Sequence, residues 1–224
     1  MRAFLFISAL ALLACAGTDT TGDTASADPG DDLYVPNACG EWAAIEDGRE
    51  WAYRYTPEND LTGTWTDSVT RFKGSVGTVE TSGSNQSGST TQDFTTTTEF
   101  SCDDGYHVTK MTMQYAGTSD GTPFSGESVT TYDEPVLLWP ASIAKGDTWE
   151  AHYVGTSKVD GKKTDFDYSA TYTARGLEDV TVKAGTYKAF RVVVQPESGD
   201  STSIWLSSGV GTVQGDWYEL TDLR

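Results

Sequence analysis

Phe166-Asp167-Tyr168-Ser169-Ala170-Thr171-Tyr172 alternates apolar and polar side chains along its whole length. Successive side chains of a strand point to opposite faces, so this spacing predicts a β-strand with one aromatic face and one wet face. The reading extends outward in both directions. Trp51, Tyr53 and Tyr55 alternate with Ala52 and Arg54, and His107, Thr109, Met111, Met113 and Tyr115 are expected to share one face of another strand. Val180-Thr181-Val182 leads through Ala184-Gly185 into Tyr187–Val194, and Ile204-Trp205-Leu206 leads through Ser207-Ser208-Gly209 into Val210–Tyr218. These are hairpin signals of an antiparallel meander, and helical periodicity is lacking. The predicted class is all-β. Trp149, Trp205 and Trp217 are read as core because they carry the largest buriable area.

Other segments read differently. Thr90–Phe100 is rich in Thr and predicts an exposed or edge strand, whereas Ser82–Ser89 (SGSNQSGS) predicts a hairpin loop. Glu41–Glu46 and Pro140–Ala144 could each form one helical turn. An internal echo is visible: Gly48-Arg49-Glu50-Trp51 leads to Tyr55, and Gly146-Asp147-Thr148-Trp149 leads to Tyr153. Both read GxxWxxxY, which suggests two similar β units within one body.

The chain has 224 residues, 33 acids, 15 strong bases and a formal net charge of −18. A phosphate-binding face needs clustered Lys and Arg, so nucleic acid is excluded as a partner, as is a polybasic membrane-surface role. Residues 1–32 hold only five of the acids and one of the bases, which leaves the remainder at −14. The acidity therefore belongs to the body.

The start of the chain has its own logic. Met1-Arg2 precedes the apolar run AFLFISALALLA (Ala3–Ala14) and then Cys15. A short positive start and an apolar run too short to span a bilayer predict a secretory signal over residues 1–14. Residues 15–33 follow as a lipidated cysteine and a tether. Ala16–Asp32 (AGTDTTGDTASADPGDD) has five acids, no bases and no large apolar residue. Such a segment cannot bury enough surface to offset its ordering entropy, so it predicts a self-repelling linker. Its acids lack the ligand spacing and turn glycine of an EF-hand loop. A single β domain is expected over residues 34–224.

Cys39 and Cys102 remain for each other. An even pair in an exported chain predicts a disulfide, which would close a loop of about 64 residues and contribute roughly 4 kcal/mol on the chain-entropy model. Together with His107 and His152 they could supply four zinc ligands on paper, but no CxxC or HxxxH spacing supports a metal. Gly117-Thr118-Ser119-Asp120-Gly121 matches GxSxG, yet a nucleophile elbow needs a following helix, and Thr122-Pro123 predicts a hairpin turn instead. Only His107 and His152 could serve as base for Ser119. Asp160, Asp165 and Asp167 offer a loose set of calcium-type oxygens. No catalytic residue, metal or cofactor is assigned.

Two resemblances add to this reading. Leu12-Leu13-Ala14-Cys15 resembles the lipobox of bacterial lipoproteins, which implies cleavage before Cys15, its acylation, and, with Ala16 following, an outer-membrane destination. Val180–Val192 (VTVKAGTYKAFRV) is similar to the V-x-V-x-A-G-T-(F/Y)-x-A-x-x-V hairpin of bacterial surface lipoproteins of unknown function. Trp205–Val213 is similar to their W-(F/L/Y)-x-x-G-V-G-x-V hairpin, and Lys145–Trp149 to their opening strand. The resemblance covers roughly Leu137–Tyr218. It implies a strongly curved antiparallel sheet, a half-barrel or barrel-like body, with distant relatives that hold acyl chains in the concave face. The resulting expectation is a membrane-anchored cell-envelope lipoprotein with a non-catalytic binding role for a lipid-like or apolar ligand. The competing readings are a structural or partner-docking surface lipoprotein and a secreted hydrolase.

Overall fold

The computed structural model describes residues 37–56 and 60–224. Cys15, the signal and the tether lie outside the described residues. The described chain is all-β with no helix. Its twelve strands are β1 (Glu50–Tyr55), β2 (Leu61–Lys73), β3 (Val76–Ser87), β4 (Thr90–Cys102), β5 (Gly105–Ser119), β6 (Thr122–Pro140), β7 (Thr148–Val159), β8 (Lys162–Val182), β9 (Gly185–Pro196), β10 (Thr202–Ser207), β11 (Gly211–Gly215) and β12 (Tyr218–Leu223). Each pairs antiparallel with its sequence neighbours, and β1 also pairs with β12, which closes the barrel. Closure removes every free edge, the usual weak point of an antiparallel sheet.

Alternation decides what faces inward. Trp51, Tyr53 and Tyr55 stand inside on β1, and Phe166, Tyr168, Ala170 and Tyr172 stand inside on β8, as their spacing predicts. On β5 the prediction holds only in part. Met111, Met113 and Tyr115 face inward, but a bulge between Val108 and Lys110 reverses the phase, so Tyr106 and Val108 are the inward residues beyond it and His107 points outward. Other expectations are also corrected. The Thr-rich β4 is an interior staple of the wall, paired along its length with β3 and β5, and Gln92, Thr96, Thr98 and Phe100 are buried on its inner side. Ser82–Ser87 continues β3, and only Gly88-Ser89 turns. Glu41–Glu46 and Pro140–Ala144 form turns and extended chain, with no helix. Trp205 packs against the core only in part: it is half-buried, with its ring under the Arg191 guanidinium and its Nε1–H donating to Glu178. Trp217 is half-buried in the β11–β12 turn.

The repeated GxxWxxxY has a structural counterpart. The two copies open β1 and β7, which stand diametrically opposite in a ring of twelve. Gly48 N donates to Val69 O at 2.9 Å, and Val69 N donates to Arg49 O at 2.8 Å. Gly146 N donates to Ala174 O at 2.8 Å, and Ala174 N to Asp147 O at 2.9 Å. In each case the following residues carry a bulge, Val69/Arg71 on β2 and Ala174/Gly176 on β8. Both glycines have positive φ, +81° and +94°, the region in which a Cβ is costly. The barrel thus divides into two six-stranded units, β1–β6 and β7–β12, whose first hairpins open in the same way. Their inner residues run in opposite phase: Tyr53 and Trp65 are large where the second unit has Ala151 and Ala170, while Asp67 is small where it has Tyr172.

One end of the barrel is sealed by the chain before β1. Trp42, Ala43, Ala44 and Ile45 are buried, and the Trp42 ring meets Phe190 edge-on at 5.1 Å. The Cys39–Cys102 disulfide ties this plug to the end of β4. Gly209 N donates to Glu41 O at 2.9 Å, and Asn37 Nδ2 donates to Ile45 O at 2.6 Å. Gly40 is required by space as well as by conformation: its φ is +81°, and a Cβ there would lie 2.5 Å from Ala141 Cα. Outward positions carry Asp93, Glu99, Lys110, Glu127, Asp165 and Asp167. A wall with that many charges is costly against hydrocarbon, unlike the apolar band of a membrane-spanning barrel.

Candidate functional site: the barrel lumen

The interior changes character along its length. Next to the plug, inward side chains are fully buried: Phe100, Val136, Tyr172, Val192, Leu206 and Leu220. Toward the opposite rim, inward positions are only half-buried. Trp65, Thr81, Phe94, Tyr115, Ser128, Phe166, Tyr168 and Tyr218 retain accessible surface although their neighbours on each strand point out. This end is therefore open to solvent. The barrel is a cup whose floor is the plug and whose upper lining is aromatic and hydroxylic.

Two aromatic clusters line it. On the first unit Trp65 stacks on Tyr53 at 5.2 Å and also meets Tyr55 at 4.8 Å and Tyr218 at 5.4 Å. On the second unit Tyr153 stacks on Tyr168 at 4.8 Å, and Trp149 stacks on Tyr172 at 5.4 Å. The Tyr153 and Tyr172 hydroxyls are 2.7 Å apart and buried. Burial pushes the Tyr172 hydroxyl up to about 12 and that of Tyr153 higher still, so both stay neutral at any physiological pH.

Asp67 is the exception within this lining. Its register partner on β1 is Trp51 and on β3 is Thr81, so it faces inward. Thr81 Oγ1 donates to Asp67 Oδ1 at 2.7 Å. Burial raises the Asp67 carboxyl from 3.8 to about 6, against the lowering effect of that hydrogen bond. Burial foremost, and the charge of Asp67 after it, raise the hydroxyls of Tyr53, Tyr106 and Tyr218, so the three lie within electrostatic reach of the acid. Sequence reasoning missed Asp67. Its only signal is the alternation Trp65-Thr66-Asp67-Ser68-Val69, which puts an acid on the apolar side.

Above the lumen an open groove of about 600 Å³ crosses β4, β5 and β6 at Asp93, Phe94, Tyr115, Gly126 and Glu127. The β7–β8 turn closes one side of it. Asp160 Oδ1 accepts from Glu127 N at 3.0 Å, and Asp160 N donates to Glu127 O at 3.0 Å.

The residues singled out in the sequence are scattered. Ser119 ends β5 and shares a 3.0 Å hydroxyl contact with Thr90. His107 stands twelve positions away along the same strand, about 40 Å in extended chain. It faces outward with Nε2 3.5 Å from Asp104. His152 is exposed on the outer wall, 3.0 Å from Asp167. GxSxG is thus a hairpin turn without a histidine partner, and no acyl-transfer geometry exists around Ser119. Asp160 is engaged at β6, while Asp165 pairs with Lys163 at 3.5 Å. Among the described residues no group of three or more His, Cys, Asp or Glu stands close enough to hold a metal ion. The disulfide occupies both Cys39 and Cys102. Comparisons with known protein families, curated proteins and solved structures find no match to this chain.

Proposed function

We propose that this protein is a lipid-anchored cell-envelope barrel that holds a small, largely apolar ligand in its open lumen without transforming it. The observation that supports the reading is the half-buried aromatic lining above a sealed floor. A site of this kind is concave, mostly apolar and supplied with a few convergent polar groups. The hydroxyls and Asp67 are those polar groups. The polar outer wall fits a barrel that stands in water, and the lipobox-like Cys15 with its acidic linker supplies the attachment. Several acyl chains, at about 0.8 kcal/mol per buried methylene, hold such a domain on a membrane stably.

Two experiments test the two halves of the proposal. Cys15→Ala releases the protein from the membrane fraction; continued membrane association of that variant refutes the anchor. The neutral apolar fluorophore N-phenyl-1-naphthylamine binds the chain saturably at one site and quenches tryptophan emission through Trp65. Unsaturable or undetectable binding refutes the lumen as a ligand site.

A further inference from the structure

Asp67 has no cationic partner among the described residues. Its hydrogen bond comes from Thr81, and no Lys or Arg forms an ion pair with it. Arg49, whose charge reaches Tyr53, is held at Gly209 O by Nη2 at 2.5 Å, with Nη1 3.7 Å from Glu46. A carboxylate set in a protein interior is costly unless a charge of the opposite sign accompanies it. The fold does not require a charge here, since the equivalent position of the second unit is Tyr172, neutral and satisfied by Tyr153. Nor is Asp67 cut off from the lumen, because it retains accessible surface there. Around it, the hydroxyls of Tyr106 and Tyr218 bond to no other described residue. Trp65, on the same inner face two residues before Asp67, is half-buried. An inward acid, two unengaged hydroxyls and an indole form the set of groups that receives an ammonium ion, by charge, by hydrogen bonding and by the face of the ring.

We propose that Asp67, with Tyr106, Tyr218 and Trp65 around it, binds the positively charged nitrogen of an amphiphilic amine whose apolar part lies along the aromatic lining. The inference rests on the ligand-binding reading above and names the chemistry of that ligand. The acidic body, at −14 outside the first 32 residues, would also draw a cation toward the rim.

The test uses the intact chain and two probes of equal length, n-octylammonium and 1-octanol, titrated by calorimetry at pH 8 and pH 5 in 0.3 M salt. The groups facing Asp67 are Tyr53 from β1, Thr81 from β3, Tyr106 from β5 and Tyr218 from β12, and burial keeps the tyrosines neutral across this range. The two histidines lie on the outer wall. Because burial lifts the Asp67 carboxyl to about 6, it is charged at pH 8 and mostly neutral at pH 5. The amine is expected to bind at least tenfold more tightly than the alcohol at pH 8, and to lose most of that advantage at pH 5 and in Asp67→Asn. Equal binding of both probes, or an amine advantage that persists at pH 5, overturns the inference and leaves the apolar-ligand reading standing. Failure of both probes to bind overturns both. The pH comparison is made on the unaltered protein, so it decides the matter even if the variant does not fold.

Discussion

Asp67→Asn should make the ligand-free protein more stable at neutral pH. Burial raises the carboxyl from 3.8 to about 6, and each tenfold change in proton affinity corresponds to about 1.4 kcal/mol. The sign follows from proton linkage. A raised carboxyl binds its proton more tightly in the folded state, so ionising it costs stability. That cost is complete above about pH 6, shrinks as pH falls toward 4, and is gone once the unfolded chain is protonated as well. Asparagine removes the charge, keeps an oxygen for the Thr81 hydroxyl and nearly preserves shape. Residual accessibility of Asp67 lets water screen part of the cost, so a gain of about 1–3 kcal/mol is expected at pH 8. For a chain of this size that is a rise in Tm of roughly 3–10 °C. The assay is thermal unfolding of both proteins at pH 8, 6 and 4. The difference should be largest at pH 8, nearly as large at pH 6 and reduced to a small fraction of that at pH 4. A variant no more stable than the parent at pH 8, or an offset independent of pH, refutes the placement of this acid in a poorly hydrated lumen.

Other consequences can be checked in the same way. Reducing Cys39–Cys102, or replacing both residues by Ser, should cost about 4 kcal/mol, because the closed loop spans a sequence separation of 63; thermal scans with and without reductant report it. Trp42→Ala empties the plug beneath Phe190 and should cost about 3–5 kcal/mol in urea unfolding. Gly40→Ala sets a Cβ 2.5 Å from the Ala141 backbone at a φ of +81°, so a loss above about 2 kcal/mol is expected in the same assay. Tyr153→Phe leaves the buried Tyr172 hydroxyl without its 2.7 Å partner and should cost about 1–2 kcal/mol.

Much of this architecture is legible in period-two patterning. Trp51/Tyr53/Tyr55 and Phe166/Tyr168/Ala170/Tyr172 carry large apolar residues on alternate positions, and such a pattern tolerates only one face inward. His107 shows where the pattern fails. A bulge adds one residue to a strand, and the rest of that strand then changes face with no trace in composition. The Thr-rich β4 misleads for another reason: Thr96 and Thr98 are polar by type but are buried by the strands on either side. Closure of the ring depends on β1 meeting β12, a pairing of residues far apart in sequence such as Tyr53 with Leu220. Local patterns do not encode it. The plug is likewise short and irregular, so Trp42 and Ile45 carry no periodic signal. Asp67 was hidden because acids abound in this chain; only the register with Trp51 and Thr81 separates it from the surface carboxylates.

Native mass spectrometry of the full chain shows whether the lumen holds a ligand. The Cys15→Ala form, expressed in the cell envelope and sprayed without denaturation, should carry one equivalent of an adduct. Dissociation should release a small amphiphile bearing a basic nitrogen, and Asp67→Asn should lose most of it. A chain that arrives with nothing bound, at expression levels where its lumen would be filled, rules out a ligand-holding lumen.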